Sequence, residues 1–316
     1  MTNRRTFLRN ASLLTVGGLV AAGQTGRAAL SGSPSVDAKK QLGLQIYSLG
    51  QELGKDVPGG LKKVAQMGYT VLELAGYNKE GKIGAVTMAD FKKYADDAGL
   101  KIVSSHLNPP VREYNEGNLE QIKDFWKLAA EHHAGIGCKY IIQPGQPSTR
   151  STEEVAFVGK VFNEAGKIAQ AAGLQFGYHN HDGEFATVVP GGTEPLPRRR
   201  GFGRQPEGAK IIYDGMLEAT DPSLVVFEND VYWTVMGQKD PVAYMKKYPD
   251  RIRLLHIKDV AVLGESGMMN FQKIYETAYA NGIKDYFVEL EGYAGGTQFE
   301  GVKGCADYLK QARFVK

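Results

Sequence analysis

Eight strand-then-helix units in series predict a closed (β/α)8 barrel of parallel strands, and three observations carry that expectation. Short apolar stretches alternate with longer helical patterns from Leu42 to the C-terminus. Gly68, Gly99, Gly137, Gly173 and Gly282 each follow a helical pattern and precede a strand, where the chain leaving a helix often needs φ > 0. Several of the strands end on a His, Asp or Glu, and barrels of this class build their sites at the C-terminal ends of the strands. A doubly wound open sheet is the structural alternative, but no GxGxxG follows the first strand.

The strands fall at 42–49, 70–75, 100–106, 139–143, 174–179, 224–228, 253–257 and 286–290. The helical patterns fall at 60–67, 88–98, 119–133, 153–172, 209–218, 241–248, 271–280 and 302–312. Thr87 with Asp90 resembles a capping box and marks the start of the second helix. After strand five the cadence breaks at 186–208, a Gly/Pro/Arg-rich insertion that contains Arg198-Arg199-Arg200. A smaller break, 292–298, follows strand eight. Both follow strand C-termini, so both are expected to form a rim or lid.

The barrel is expected to occupy residues 41–316, behind a leader at 1–30 and a linker at 31–40. The leader holds the twin-arginine pattern Asn3-Arg4-Arg5-Thr6-Phe7-Leu8-Arg9, an apolar run at 11–22 and the small residues Gly26-Arg27-Ala28-Ala29. That run is too short to span a bilayer comfortably, so the reading is an export signal cleaved near Ala22 or Ala28, without stable membrane insertion. The mature protein is then expected in the periplasm or otherwise exported.

Among the 316 residues, 42% are hydrophobic and 23% charged, which suits a sizeable core. The net charge of +3, partly in the leader, shows no basic stripe and so excludes a nucleic-acid surface. Arg198–Arg200 reads as a solvated loop. Cys138 and Cys305 lack CxxC or metal spacing and are expected as two half-buried thiols.

Strand parity locates the chemistry. Residues two apart share a face, so Glu289 and Glu291 face the axis if Val288 and Leu290 face the helices. By the same rule His256 and Glu73 face inward, Glu228 shares a face with Asp230, and His179 shares one with His181. So many inward polar groups cannot form a dry core; they need partners or a metal. The quartet His181, Asp230, His256 and Glu289 lies at strand ends of one mouth. Its mixed nitrogen and carboxylate donors suit one divalent ion, with Mn2+ as the leading candidate and Zn2+, Co2+ or Fe2+ as the others. His179 and Glu184 are alternatives for the strand-five position.

The stretches LGLQIYSLG, LKKVAQMGYTVLELAGY, CKYIIQPG, FGYHNHDGEF, DPSLVVFENDVYW, DPVAYMKKYPDRIRLLHIKD and YFVELEG resemble the xylose isomerase-like TIM-barrel superfamily, the sugar phosphate isomerase/epimerase group. HNHD with LLHIKD resembles a branch rich in secreted bacterial members. The resemblance implies a divalent metal held by strands five to eight and a keto-sugar or polyol substrate. Asp230, His256 and Glu289 match the family's ligand positions. The epimerases of the superfamily usually carry a Glu on strand five, where this chain has a His. Two-glutamate epimerisation is therefore in doubt, and reactions that need one base remain. The stretch GESGMMNF also departs from the family's usual GEGxIDF, with Asn270 at the acidic position.

The reaction expected is removal of a proton beside a sugar carbonyl, through a metal-stabilised enediolate. Glu289 or Glu184 would move the proton, while His179 and Lys258 stabilise the developing charge. Tyr47, Glu73, His106, Gln143 and Trp233 would contact the sugar. An exported enzyme rarely meets phosphorylated sugars, and no glycine-rich phosphate cradle is visible, so a non-phosphorylated sugar is expected. One alternative is a lyase or hydrolase of 3-keto-glycosides working by β-elimination on the same site. Another is a non-catalytic periplasmic sugar-binding barrel. The expected partner is a small carbohydrate, with no nucleic acid and with room for a homo-oligomer.

Overall fold

The computed structural model of the chain describes residues 40–196 and 206–316, and within them eight parallel strands close into a barrel. They are β1 Gly43–Gln45, β2 Val71–Leu74, β3 Lys101–His106, β4 Tyr140–Gln143, β5 Gln175–His179, β6 Val225–Asp230, β7 Ile252–Ile257 and β8 Asp285–Val288. Each pairs with its neighbour in sequence, and Leu44 opposite Val288 closes the ring. The following helices are α1 Val57–Gln66, α2 Met88–Asp97, α3 Leu119–Gly135, α4 Thr152–Ala171, α5 Ile212–Ala219, α6 Pro241–Lys247, α7 Phe271–Ala280 and α8 Gln298–Gln311. The predicted twin-arginine leader, nearly all of the linker and the Arg198–Arg200 run lie outside the described residues. No described helix is long and apolar enough to cross a membrane.

The five punctuating glycines all take positive φ, between 71° and 102°. Elsewhere local side-chain bonds moved the predicted boundaries. β1 stops at Gln45 because the Gln45 side chain accepts from the Tyr47 amide (3.0 Å) and turns the chain into a 3-10 helix, Ile46–Leu49. The helix at the C-terminus begins at Gln298, where Thr297 and Glu300 form a reciprocal capping box. At Thr87 only half of the expected box forms: Thr87 accepts from the Asp90 amide and donates its hydroxyl to the Asp90 carboxylate.

The core has two layers. The larger lies between the strands and the helices and holds Leu72, Leu74, Leu255, Ile257, Val288 and Leu290. The smaller, Val71, Tyr140, Ile142, Val226, Leu254 and Phe287, fills the barrel's interior. This inner plug needs Gly177, since a Cβ there would lie 2.5 Å from Ile142 Cδ1. Residues two places further along the strands, among them Glu73, Glu228, His256 and Glu289, therefore stand above the plug, toward the C-terminal mouth.

Additions decorate that mouth. A three-stranded antiparallel sheet, Tyr77–Asn78, Lys82–Ile83 and Val86–Thr87, follows β2, and a short helix, Gly50–Lys55, follows the β1 turn. In and beside the predicted rim insertion, Thr187–Val188 pairs with Lys210–Ile211. Cys138 and Cys305 are free and buried, more deeply than the half-buried state expected, and burial pushes both thiols up to about 12.

Candidate metal centre

Directly above the apolar plug, the strand register aligns Gln45, Glu73 and Ser104. Glu73 is fully buried and accepts from Gln45 Nε2 (2.8 Å), Ser104 Oγ (2.6 Å) and His256 Nε2 (2.5 Å). Beside it Glu228 gathers three imidazoles. His106 Nε2 lies 2.8 Å, His179 Nδ1 3.2 Å and His256 Nε2 3.3 Å from its Oε2. The His106 ring stacks on His256 with centroids 5.0 Å apart, and His179 meets His256 edge-on at 4.5 Å.

The other nitrogens of His179 and His256 point up, toward the mouth. There His179, Asp230, His256 and Glu289 offer four ligand atoms within 4.8 Å of one another. His256 Nδ1 lies 3.3 Å from Glu289 Oε2 and 3.9 Å from Asp230 Oδ2, and His179 Nε2 lies 4.0 Å from Asp230 Oδ2. Among the described residues Asp230 Oδ2 has no hydrogen-bond partner although it is buried. Separations near 4 Å are too long for hydrogen bonds. They suit donors sharing an ion with bonds of about 2.0–2.2 Å. The residues present fit a divalent cation. Below it, Glu228 and Glu73 take the far N–H groups of the two imidazoles, which fixes which nitrogens face the ion.

Burial works against charge on His256, but Glu228, Glu73 and Glu289 hold it well above the ordinary imidazole value. Burial, with His256 and His181 nearby, pushes His179 well below it. Burial pushes the Asp230 carboxyl up to about 7 against the pull of Lys258 and His256. Glu289 goes the other way: burial opposes its charge, yet His256 and Lys258 hold it far below the usual range. Lys258 is itself buried and bonded to Glu289 (2.9 Å) and Glu291 (2.5 Å).

A cavity of about 470 Å³ opens above the quartet, walled by His106, His179, His181 and Glu289 with Tyr47, Asn108, Arg112 and Glu291. Of the residues expected to contact a sugar, Tyr47 and His106 therefore reach it. Gln143 is engaged by the Tyr114 hydroxyl and bonds the Gly145 carbonyl, supporting a loop that lines the cavity. The Trp233 ring packs against His181 (5.7 Å) and under the Lys258 ammonium (5.1 Å).

Three residues stand elsewhere than the sequence suggested. His181 lies past the end of β5, in the cavity wall, and the strand-five member of the quartet is His179. Alanine at His179 is expected to lower metal content more than tenfold and alanine at His181 to leave it near one equivalent, as read by elemental analysis. Glu73 does not wall the cavity; it is fully buried among Gln45, Ser104 and His256. Glu184 does not wall the cavity either and sits in a turn behind β5. There it accepts from the Tyr178 hydroxyl (2.5 Å) and the His181 amide (3.1 Å), so both oxygens are engaged. Glu228 was legible only as a companion of Asp230. Asn180, Asn229 and Thr234, which bond one another behind the Asp230 strand end, carried no sequence signal.

Burial pushes the Glu184 carboxyl up to about 7. An acid whose folded value is raised binds more protons folded than unfolded, so stability falls as pH rises from about 4.5 through 7 and then levels. Glu184→Gln can still accept from the His181 amide while donating to the Tyr178 hydroxyl. It is expected to stabilise the protein at pH 8 relative to pH 5 by up to about 3 kcal/mol, as read by denaturant titration at the two pH values.

Residues 61–312 match the family model described as xylose isomerase-like TIM barrel. A solved sugar phosphate isomerase/epimerase from Parabacteroides distasonis is 53% identical, with a TM-score of 0.81, over 88% of this chain and 100% of that one. A second structure of that description from the same organism is 47% identical, with a TM-score of 0.84, over 89% and 99%. An inosose dehydratase of Geobacillus kaustophilus is 25% identical over 216 residues, 63% of this chain and 61% of that protein, so the chain spans about three-fifths of its length. The relatives so named are sugar-modifying enzymes. With four-fifths of its length matched and near-complete alignment to solved relatives, the chain belongs to the xylose isomerase-like TIM-barrel family.

Proposed function

We propose that this protein is a divalent-metal-dependent enzyme that removes a proton from the carbon beside the carbonyl of a non-phosphorylated sugar. The observation that carries the reading is the buried quartet with its unpartnered Asp230 oxygen, at the floor of a polar cavity. His179, Asp230, His256 and Glu289 would hold the metal, with Mn2+ the leading candidate among Mn2+, Zn2+, Co2+ and Fe2+. When bound, it supplies a Lewis acid beside the carbonyl oxygen. Glu289 is ionised and faces the cavity, so it takes the proton. Its low proton affinity makes it a weak base, and the carbon acid must therefore be activated from the oxygen side. Lys258, fixed between Glu289 and Glu291, places a positive charge where that oxygen gains electrons. His106 and Tyr47 shape the walls.

A second reading is elimination: loss of water or of a glycosidic substituent from the carbon next to the deprotonated one, as in a lyase of 3-keto-glycosides. Strand five contributes a histidine, His179, and not a glutamate to the quartet, and elimination needs one base only. The similarity to a protein named for dehydration favours it as well. The export signal read at residues 1–30 supports an extracytoplasmic, non-phosphorylated substrate.

The test is NMR of keto-sugars and keto-glycosides in deuterated water with the metal-loaded protein. Deuterium uptake beside the carbonyl, or release of an unsaturated sugar, is expected. It should fall by about 10³ or more in Glu289→Gln, where the base and one ligand charge are lost together. Metal-loaded protein that binds these sugars without exchanging or eliminating would overturn the enzyme and leave a sugar-binding barrel.

A further inference from the structure

The polar cavity above the quartet continues into a second cavity of about 490 Å³, and Tyr47, Ala75, Gly76 and Glu291 wall both. The second is apolar. Leu53, Val57, Ile83, Val86 and Phe91 line it, and its one carboxylate, Glu291, is already paired with Lys258. Much of its wall comes from the Gly50–Lys55 helix and the three-stranded sheet after β2, both additions to the barrel's strand-helix units that contribute nothing to the quartet, with Val57 and Phe91 added from α1 and α2. Tyr47 stands where the two cavities meet, with 60% of its surface exposed, so a broad aromatic face is open there to a ligand spanning both.

We propose that this second cavity is a subsite for an apolar, ring-sized group attached to the sugar, so that the substrate is a glycoside carrying an aromatic or alicyclic aglycone. The inference rests on the sugar-binding reading of the metal centre and extends it to the substrate's other half. The volume lies within the range of about 300–1,000 Å³ of small-molecule sites. An apolar lining recognises a group by surface removed from water, whereas the polar cavity recognises hydroxyls and a carbonyl. A ligand spanning both must therefore be polar at one end and apolar at the other.

The experiment is calorimetric titration of the metal-loaded protein with methyl and phenyl D-glucosides of both anomers. The phenyl compound of at least one anomer is expected to bind about tenfold or more tighter than its methyl counterpart, because its ring leaves water in the apolar cavity. Ala85→Trp fills that cavity from its exposed hairpin and is expected to bring phenyl binding down to the methyl level, with metal content and methyl binding unchanged. Val86→Phe serves as a second filling variant. Equal affinities, a phenyl advantage that survives both filling variants, or binding of neither compound would overturn the subsite. Deuterium exchange on free keto-sugars separates the two claims. Exchange without a phenyl advantage sinks the subsite and leaves the centre; a phenyl advantage without exchange leaves the subsite and sinks the chemistry.

Discussion

Glu228→Gln is expected to weaken metal binding by roughly 10- to 100-fold without removing a ligand, because the carboxylate orders the imidazoles beneath the ion. Its Oε2 accepts from His106 and His179 and lies 3.3 Å from His256 Nε2. A carboxylate can accept from several N–H groups at once and compensates their charge. An amide can turn its oxygen to these rings but carries no charge to hold them, and it leaves its NH2 buried where Oε1 has no partner. The bonds that fix the tautomers of His179 and His256 and their tilt toward the mouth are then weakened. Competition with a chelating dye reads the affinity. An affinity within a factor of about two of the wild type would mean that the rings are positioned by packing alone.

His256→Ala is expected to do more, because His256 serves both layers. Its Nδ1 faces the quartet, while its Nε2–H is the hydrogen-bond partner of Glu73, 2.5 Å away in the fully buried layer. Burial pushes the Glu73 carboxyl up, and only His106, His256 and the hydrogen bonds around it bring it below the ordinary value. Removing one partner of a buried pair leaves an uncompensated charge and costs about 3–5 kcal/mol. The variant should therefore hold less than about a tenth of the wild-type metal and unfold at lower denaturant. Adding Glu73→Gln removes the stranded charge and should restore part of the stability but none of the metal. If the double variant regained metal, the ligand assignment would be wrong; if it regained no stability, the pair is not what holds this layer.

Most of the fold was legible because glycine and apolar periodicity report local backbone needs directly. Gly68, Gly99, Gly137, Gly173 and Gly282 each mark a left-handed residue after a helix, and five of the eight units follow from them. Parity also carried through: Leu255 and Ile257 face the helices while His256 faces the axis. Parity gives direction but not height. Glu73 points inward as expected, yet its register with Gln45 and Ser104 sets it a layer below the cavity, and that register depends on neighbouring strands. Past the end of a strand, parity loses meaning. β5 stops at His179, so His181 stands beside it in the cavity wall but outside the quartet, and the turn at Gly183–Phe185 carries Glu184 behind the strand. The three-stranded sheet after β2 was missed because strands of two residues leave no periodicity to read.

The most direct measurement is the metal content of the purified protein by elemental analysis, with His256→Ala as the control. About one equivalent of a transition metal per chain is expected in the wild type, reduced to a trace in the variant. A wild-type protein that holds no metal, even after reconstitution with Mn2+ or Zn2+, would contradict the metal centre and the proton-transfer chemistry built on it.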